Sequence, residues 1–116
     1  MKKINILKNS RDFDRIIKNN TSYKYKDYIF YLEKNTKDVF KFGLSVGKKI
    51  GNAVRRNRVK RQLKAIISEK DYQNNFNCII IVGKGINERT FQKRETNLLI
   101  ALKNLNIIKE KINEKK

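Results

Sequence analysis

The feature that most constrains the fold is the run "CIIIVG", Cys78 to Gly83, in which every residue before the terminal glycine is apolar. The run is short enough for a strand and too short for an ordinary helix. It has no polar position that could face water, so both faces of the strand need cover. We therefore predict a short strand in the middle of a sheet.

The patterns upstream of this run predict one helix followed by strands. The segment "NSRDFDRIIKNN" is typical of a short helix with Ser10 as its N-cap, and Phe13, Ile16 and Ile17 share one face. The segment "TSYKYKDYIFYLEK" predicts extended chain that breaks near Lys26–Asp27 into a short strand and a longer one. The segment "VFKFGLSVG" alternates in part and predicts the next strand.

Two further helices complete the pattern. Asn52 is suited to be the N-cap of a helix that runs to about Lys70, the loop "DYQNNFN" follows, and Thr90 is suited to cap the last helix. The element order is then α, two or three β, α, β, α. This order predicts an α+β fold with helices packed on a largely antiparallel sheet.

The predicted helix that begins after Asn52 is unusually basic. Between Lys48 and Lys64, eight of 17 residues are Lys or Arg and none is acidic. On a helical wheel, an apolar stripe lies opposite a cationic arc. The stripe is Val59, Leu63, Ile66 and Ile67; the arc is Asn57, Arg58, Lys60, Arg61 and Lys64, with Arg55 and Arg56 beside the stripe in the first turn. A solvated face usually mixes signs, and like charges one turn apart destabilise a helix, so the arc favours a phosphate-rich ligand.

The totals agree with a polyanionic partner. The chain has 29 Lys and Arg against 11 Asp and Glu, a formal charge of +18, which points to RNA, DNA or an anionic membrane surface. Its 116 residues predict one domain over 1–116, with flexible ends at about 1–8 and 108–116. No signal peptide or membrane span is predicted, and the lone Cys78 suits a buried position in a protein of the reducing cytoplasm.

Aromatic residues in the extended segment suggest a second binding element. In a strand from Tyr28, one face carries Tyr28, Phe30 and Leu32 and the other carries Ile29, Tyr31 and Glu33. One face can form core while the other offers a stacking surface for unpaired bases. This arrangement favours single-stranded nucleic acid over a sequence-specific reader of duplex DNA.

Side chains for catalysis are not evident. The chain has no histidine, and its acids are scattered; Asp12 and Asp14, two apart on a predicted helix, do not face each other. The "GKG" at Gly83–Gly85 lacks the rest of a phosphate-loop motif. We therefore expect no catalytic residue and no hydrolysis by the protein alone, and we assign no metal ligand.

The segment "GLSVGKKIGNAVRRNRVKR", Gly43 to Arg61, resembles the signature region of the bacterial ribonuclease P protein subunit. The resemblance extends more weakly over "RDFDRIIKNN", "YIFYLEK", "NCIIIVGKG" and "TFQKRETNLLIALKN". Two positions depart from the family pattern: Ile17 stands where a second Phe is usual, and Gly47 replaces the Ser before "KK".

The resemblance implies a fold, an activity and partners. The fold is an αβββαβα two-layer sandwich with a mainly antiparallel four-stranded sheet and a left-handed βαβ crossover. The activity is removal of the 5′ leader from precursor tRNA by a ribonucleoprotein endonuclease. Its RNA subunit, with bound Mg²⁺, carries the chemistry, while the protein binds that RNA and the leader and needs no further protein partner.

The resemblance also assigns residues to two surfaces. The RNA-subunit surface is the helix with Arg55, Arg56, Asn57, Arg58, Lys60, Arg61 and Lys64. The leader cleft takes Phe13, Ile17, Ile29, Tyr31 and Ser45, with basic positions Lys48, Lys49 and Lys84 around it.

Composition alone leaves two other functions open. A ribosomal-protein-like module on another structured RNA would fit the charge equally well, and a stand-alone nuclease could use metals on dispersed acids. Leader preference, the structural type of the RNA subunit, the holoenzyme stoichiometry and metal positions on the protein are outside what the sequence predicts.

Overall fold

The computed structural model describes residues 1–109 and shows an α+β fold. The predicted order is confirmed, with three strands between the first two helices. The elements are α1 Ser10–Asn19, β1 Ser22–Tyr25, β2 Tyr28–Lys34, β3 Phe40–Ser45, α2 Ala53–Ile67, β4 Phe76–Val82 and α3 Phe91–Asn104. Two 3₁₀ turns matter below: the Lys48 turn, Lys48–Ile50, and the Lys84 turn, Lys84–Glu88.

The four strands form one mixed sheet in the order β1-β2-β4-β3. The pairs β1–β2 and β2–β4 are antiparallel, and β3 runs parallel to β4, joined to it through α2. The predicted central position of the apolar strand is therefore confirmed, and Cys78 within it is fully buried. The left-handed sense of the β3–α2–β4 crossover stays an expectation from the resemblance.

The two faces of the sheet have different cover. Residues such as Phe30, Phe42 and Ile80 point to the main core, which α2 and α3 complete. On the opposite face Ile79 packs with Ile16 of α1 in a smaller cluster. Since α1 has only ten residues, it covers part of this second face and leaves the rest accessible.

Three predicted boundaries were wrong. The N-cap of α1 is Asn9, whose side chain accepts from the backbone N–H of Arg11, and Ser10 is the first helical residue. The second helix ends at Ile67 rather than near Lys70. The central strand begins at Phe76 because Phe76 and Asn77 continue the ladder with both neighbouring strands. The caps Asn52 and Thr90 and the break at Lys26–Asp27 are confirmed.

The N-terminal segment lies along the outer edge of β3. Ile6 forms a parallel bridge with Phe42, and the N–H of Leu7 donates to the carbonyl oxygen of Phe42 at 2.8 Å. Leu7 is buried. The flexibility expected of residues 1–8 stays a prediction, and most of the 108–116 tail lies outside the described residues. Within residues 1–109, every helix is too short or too polar to span a bilayer.

Candidate nucleic-acid interface

The basic helix α2 begins from a backbone turn that requires glycine. Gly51 has a φ of +148°, and a Cβ at this position would lie 2.7 Å from Cδ of Arg55. Asn52 then caps the helix by accepting from the N–H of Arg55 at 3.0 Å. The guanidinium of Arg56 donates to the carbonyl oxygen of Gly51 at 3.0 Å, so Arg56 helps to hold this turn.

One side of α2 is buried in the core and the other is exposed and cationic. The predicted stripe is confirmed, because Val59, Leu63, Ile66 and Ile67 are each at most 1% exposed. The side chains of Asn57, Arg58 and Arg61 are exposed, and those of Lys60 and Lys64 are half-buried. Within residues 1–109, none of these five side chains takes part in a hydrogen bond or ion pair. Their donors are therefore available to an external anion.

The second candidate surface is the partly covered face of the sheet. Ile29, Tyr31 and Ser45 all lie on it, as strand alternation predicts. The register puts Ile29 and Ser45 on either side of Ile81, and all three side chains are half-buried. Ile81 was missed by the sequence analysis, because an apolar run without alternation does not reveal which of its residues face the open side.

Helix α1 forms one wall of this surface through Phe13. Gly43 of β3 lies under the Phe13 ring, and a Cβ on Gly43 would come within 2.5 Å of the ring carbon Cζ. The absence of a side chain at Gly43 therefore lets Phe13 lie close against the sheet. Ile17, one turn later, packs beside it in the same small cluster as Tyr31.

A charged network fixes α1 to the sheet. Arg15 donates to Glu33 of β2 at 3.0 Å and to Asp12 at 2.6 Å. Asn77 of β4 also donates to Glu33, at 2.8 Å. The hydrogen bond from Arg15 lowers the pKa of Glu33 below its usual value, and the one to Glu33 raises the pKa of Arg15. Sequence analysis missed this network because Glu33 and Asn77 lie far from α1 in the chain, although Asp12 and Arg15 are only three residues apart.

The basic positions around the cleft meet at one end of the sheet. Since β3 and β4 are parallel, they end side by side at Ser45 and Ile81. The Lys48 turn follows β3, the Lys84 turn follows β4, and the two turns contact each other. Lys48, Lys49 and Lys84 are all exposed there.

Residues of both predicted surfaces line one groove. The groove has a volume of about 270 Å³ and lies where the N-terminal segment, the start of α1, β3 and α2 meet. Its lining includes Phe13 and Leu44 as well as Lys60 and Lys64. Phe13, predicted for the leader cleft, therefore shares a groove with two residues predicted to meet the RNA subunit.

Comparison with known proteins gives a consistent match. Residues 1–106 match the family model described as Ribonuclease P. A ribonuclease P protein component of Streptococcus pneumoniae is 37% identical over 112 residues, which cover 95% of this chain and 91% of that protein.

Solved structures match in fold and extent. The ribonuclease P protein of Staphylococcus aureus superposes with a TM-score of 0.83 at 28% identity, covering 92% of this chain and 100% of that one. The protein from Thermotoga maritima gives a TM-score of 0.76 at 29% identity, covering 84% and 94%. The chain therefore belongs to the ribonuclease P protein family, the protein components of a tRNA-processing ribonucleoprotein endonuclease.

Proposed function

We propose that this protein binds ribonuclease P RNA through α2 and the 5′ leader of precursor tRNA through the partly covered face of its sheet. The observation that carries the proposal is the face of Asn57, Arg58 and Arg61, which is exposed and lacks an acidic partner among residues 1–109. Arg is suited to phosphates because its planar guanidinium can donate two parallel hydrogen bonds.

The leader-binding part of the proposal depends on the sheet. Tyr31, Ile29 and Ile81 offer apolar surface to unpaired bases, and Phe13 adds an aromatic edge from α1. Lys48, Lys49 and Lys84 supply charge for the leader phosphates at the end of the sheet. The groove that Phe13 shares with Lys60 and Lys64 supports a connection between the two surfaces around the edge of β3.

In this proposal the RNA subunit carries the chemistry with Mg²⁺, in the cytoplasm, and the protein supplies no catalytic side chain. Among residues 1–109, no three His, Cys, Asp or Glu side chains come together in a way that could hold a metal ion. We assign no magnesium ligand to the protein. The role of the protein is instead charge neutralisation. Its formal charge of +18 offsets the repulsion between RNA phosphates, which Mg²⁺ would otherwise have to screen.

Reconstitution at low Mg²⁺ tests the proposal. Ribonuclease P RNA alone, RNA plus protein and protein alone are each given precursor tRNA, and leader removal is measured. We expect cleavage by the mixture at a Mg²⁺ concentration where RNA alone is slow, and none by protein alone. If the mixture is no faster than the RNA, the proposed assistance is wrong.

A further inference from the structure

Two cationic turns at one end of the sheet are joined by a single amide side chain. Asn87 donates through Nδ2 to the carbonyl oxygen of Ile50 at 2.9 Å. Its Oδ1 accepts from Nη1 of Arg55 at 3.4 Å. Among the hydrogen bonds of residues 1–109, these are the two that tie the Lys84 turn to the Lys48 turn and the start of α2.

The other sides of the Lys84 turn are fixed independently. Asp27, in the β1–β2 turn, accepts from the N–H of Gly83 at 2.7 Å through its backbone and from Nε of Arg89 at 2.8 Å through its carboxylate. From α3, Arg94 donates to the carbonyl oxygen of Ile86 at 3.1 Å. None of these bonds reaches the Lys48 turn, so the distance between the two turns depends on the pairing of β3 with β4, on packing and on the two bonds of Asn87.

This distance matters because the turns carry like charges. Lys48, Lys49 and Lys84 are exposed at the same end of the sheet, and in the absence of an anion they repel one another. The turns are rooted in the core by Ile50 and Ile86, which are 3% and 0% exposed. Asn87 adds a directional tie between those two roots, which keeps the cations close before any ligand arrives and lowers the ordering cost of binding.

We propose that Asn87 is a positioning residue that presets the spacing between Lys84 and the Lys48 turn for the leader phosphates. The inference rests on the proposed leader cleft and adds a residue that touches no RNA itself. It also links that cleft to the RNA-subunit helix, since the same amide holds Arg55.

A double-mutant cycle with Lys84 tests the proposal in the holoenzyme. Affinity is measured for precursor tRNA with its full leader and with the leader trimmed to a single nucleotide, under conditions where cleavage is slower than binding. The ratio of the two isolates the leader contacts. The variants are Asn87→Ala, Lys84→Ala and the Asn87→Ala/Lys84→Ala double variant, together with Asn87→Leu. The leucine keeps the branched heavy-atom shape of asparagine, with somewhat greater bulk, and loses both bonds.

We expect Asn87→Ala and Asn87→Leu each to lower the leader-dependent ratio about three- to tenfold, the range for weakening one hydrogen-bonded contact, here the contact of Lys84 with a leader phosphate. In the Lys84→Ala background the same change should cost less than about twofold, because the placed charge is already gone. Asn104→Ala is the matched control: it removes a 2.9 Å Asn bond to Tyr23 elsewhere in the fold and should leave the ratio unchanged.

Each of the following results would overturn the inference. Additive losses in the double variant would mean that Asn87 does not act through Lys84. Equal losses with full and trimmed leaders would indicate a general structural role. If the ratio is normal in Asn87→Ala but clearly lower in Lys84→Ala, the positioning role of Asn87 is rejected and the proposed cleft is kept. If Lys84→Ala shows no loss either, the proposed place of Lys84 in the leader cleft is rejected as well.

Discussion

Arg58 is the residue at which charge and exposure make the clearest prediction. It lies on the exposed side of α2, three residues from both Arg55 and Arg61. Its side chain has no hydrogen-bonded partner among residues 1–109. We expect Arg58→Ala to weaken binding to ribonuclease P RNA and to reduce the slope of log affinity against log salt by about one, the effect of losing one phosphate contact. Binding titrations over a range of KCl concentrations measure both quantities.

Lys103→Ala is the matched control for this measurement. Lys103 is an exposed cation in the last turn of α3, so the variant loses one charge without touching the basic face of α2. Its salt slope should stay at the wild-type value. An unchanged slope for Arg58→Ala would mean that Arg58 makes no phosphate contact.

Tyr31 tests the division of labour between the two surfaces. Its ring lies on the α1 face of the sheet, while α2 packs against the other face. We expect Tyr31→Ala to weaken leader binding by about 1–3 kcal/mol, the usual worth of one stacked base, and to leave RNA-subunit binding unchanged. Fluorescence titrations measure the two affinities separately, one with precursor tRNA that carries its leader and the other with the RNA subunit alone.

Tyr31→Phe is the conservative control, because it keeps the ring and removes only the hydroxyl. This variant should bind the leader nearly as the wild type does. Equal losses of leader and RNA-subunit affinity in Tyr31→Ala would refute the division.

At the scale of elements, the position of α1 depends on Glu33. The hydrogen bond from Arg15 lowers the pKa of Glu33 from its usual value of 4.5, so the folded state favours the carboxylate. This contribution to stability is fully present above the unfolded-state pKa and is lost as the pH falls through the lower folded-state value. We expect the free energy of unfolding of wild type to exceed that of Glu33→Gln at neutral pH and to converge with it below about pH 4.5.

Urea unfolding of both proteins at neutral and acid pH measures this difference. The gap should be small, since Arg15 and Glu33 are 45% and 21% exposed and surface ion pairs are screened by solvent. A gap that stays constant as the pH falls would show that the Glu33 charge does not hold α1.

Local patterns predicted most elements and the faces on which several candidate residues lie. The N-caps Asn52 and Thr90 and the apolar stripe of α2 were predictable because each depends on neighbours in the same helix. Strand alternation likewise put Ile29 and Tyr31 on one face. The start of β4 at Phe76 was not predictable, because Asn77 resembles a loop residue until its partner Glu33 on the next strand is known.

Local patterns did not reveal which elements lie side by side. Sequence spacing does not reveal that β3 and β4 are adjacent and parallel, and only that arrangement brings Lys48 and Lys84 to one end of the sheet. For the same reason, Asn87 and the Asp27–Arg89 pair carry no local signal; their partners lie 37 and 62 residues away.

For the whole molecule, the formal charge of +18 is expected to lower the stability of the free protein and to raise its affinity for RNA. Self-repulsion destabilises the compact free protein, and salt screens it, so we expect the melting temperature of the free protein to rise with KCl. Over the same range the affinity for RNA should fall. Binding releases counterions from the RNA, and their release is less favourable when the solution already contains more salt. Thermal unfolding and RNA titration in matched buffers give the two trends.

The variant Arg61→Glu supplies the control for this trade-off. It places an acid three residues from both Arg58 and Lys64 on α2, which should stabilise the free protein at low salt and weaken RNA binding. A melting temperature that falls with KCl, or an Arg61→Glu protein less stable than wild type at low salt, would contradict the role of self-repulsion.

The N-terminal segment beside β3 has a consequence for solution behaviour. Ile6 forms a bridge with Phe42, and the N–H of Leu7 donates to the Phe42 carbonyl oxygen, so this segment occupies part of the backbone edge of β3. At the opposite edge, β1 has only four residues, one of them Lys24. Among residues 1–109, neither edge of the sheet is therefore a long, uncovered template for a strand from another copy, which disfavours edge-to-edge aggregation of the free protein.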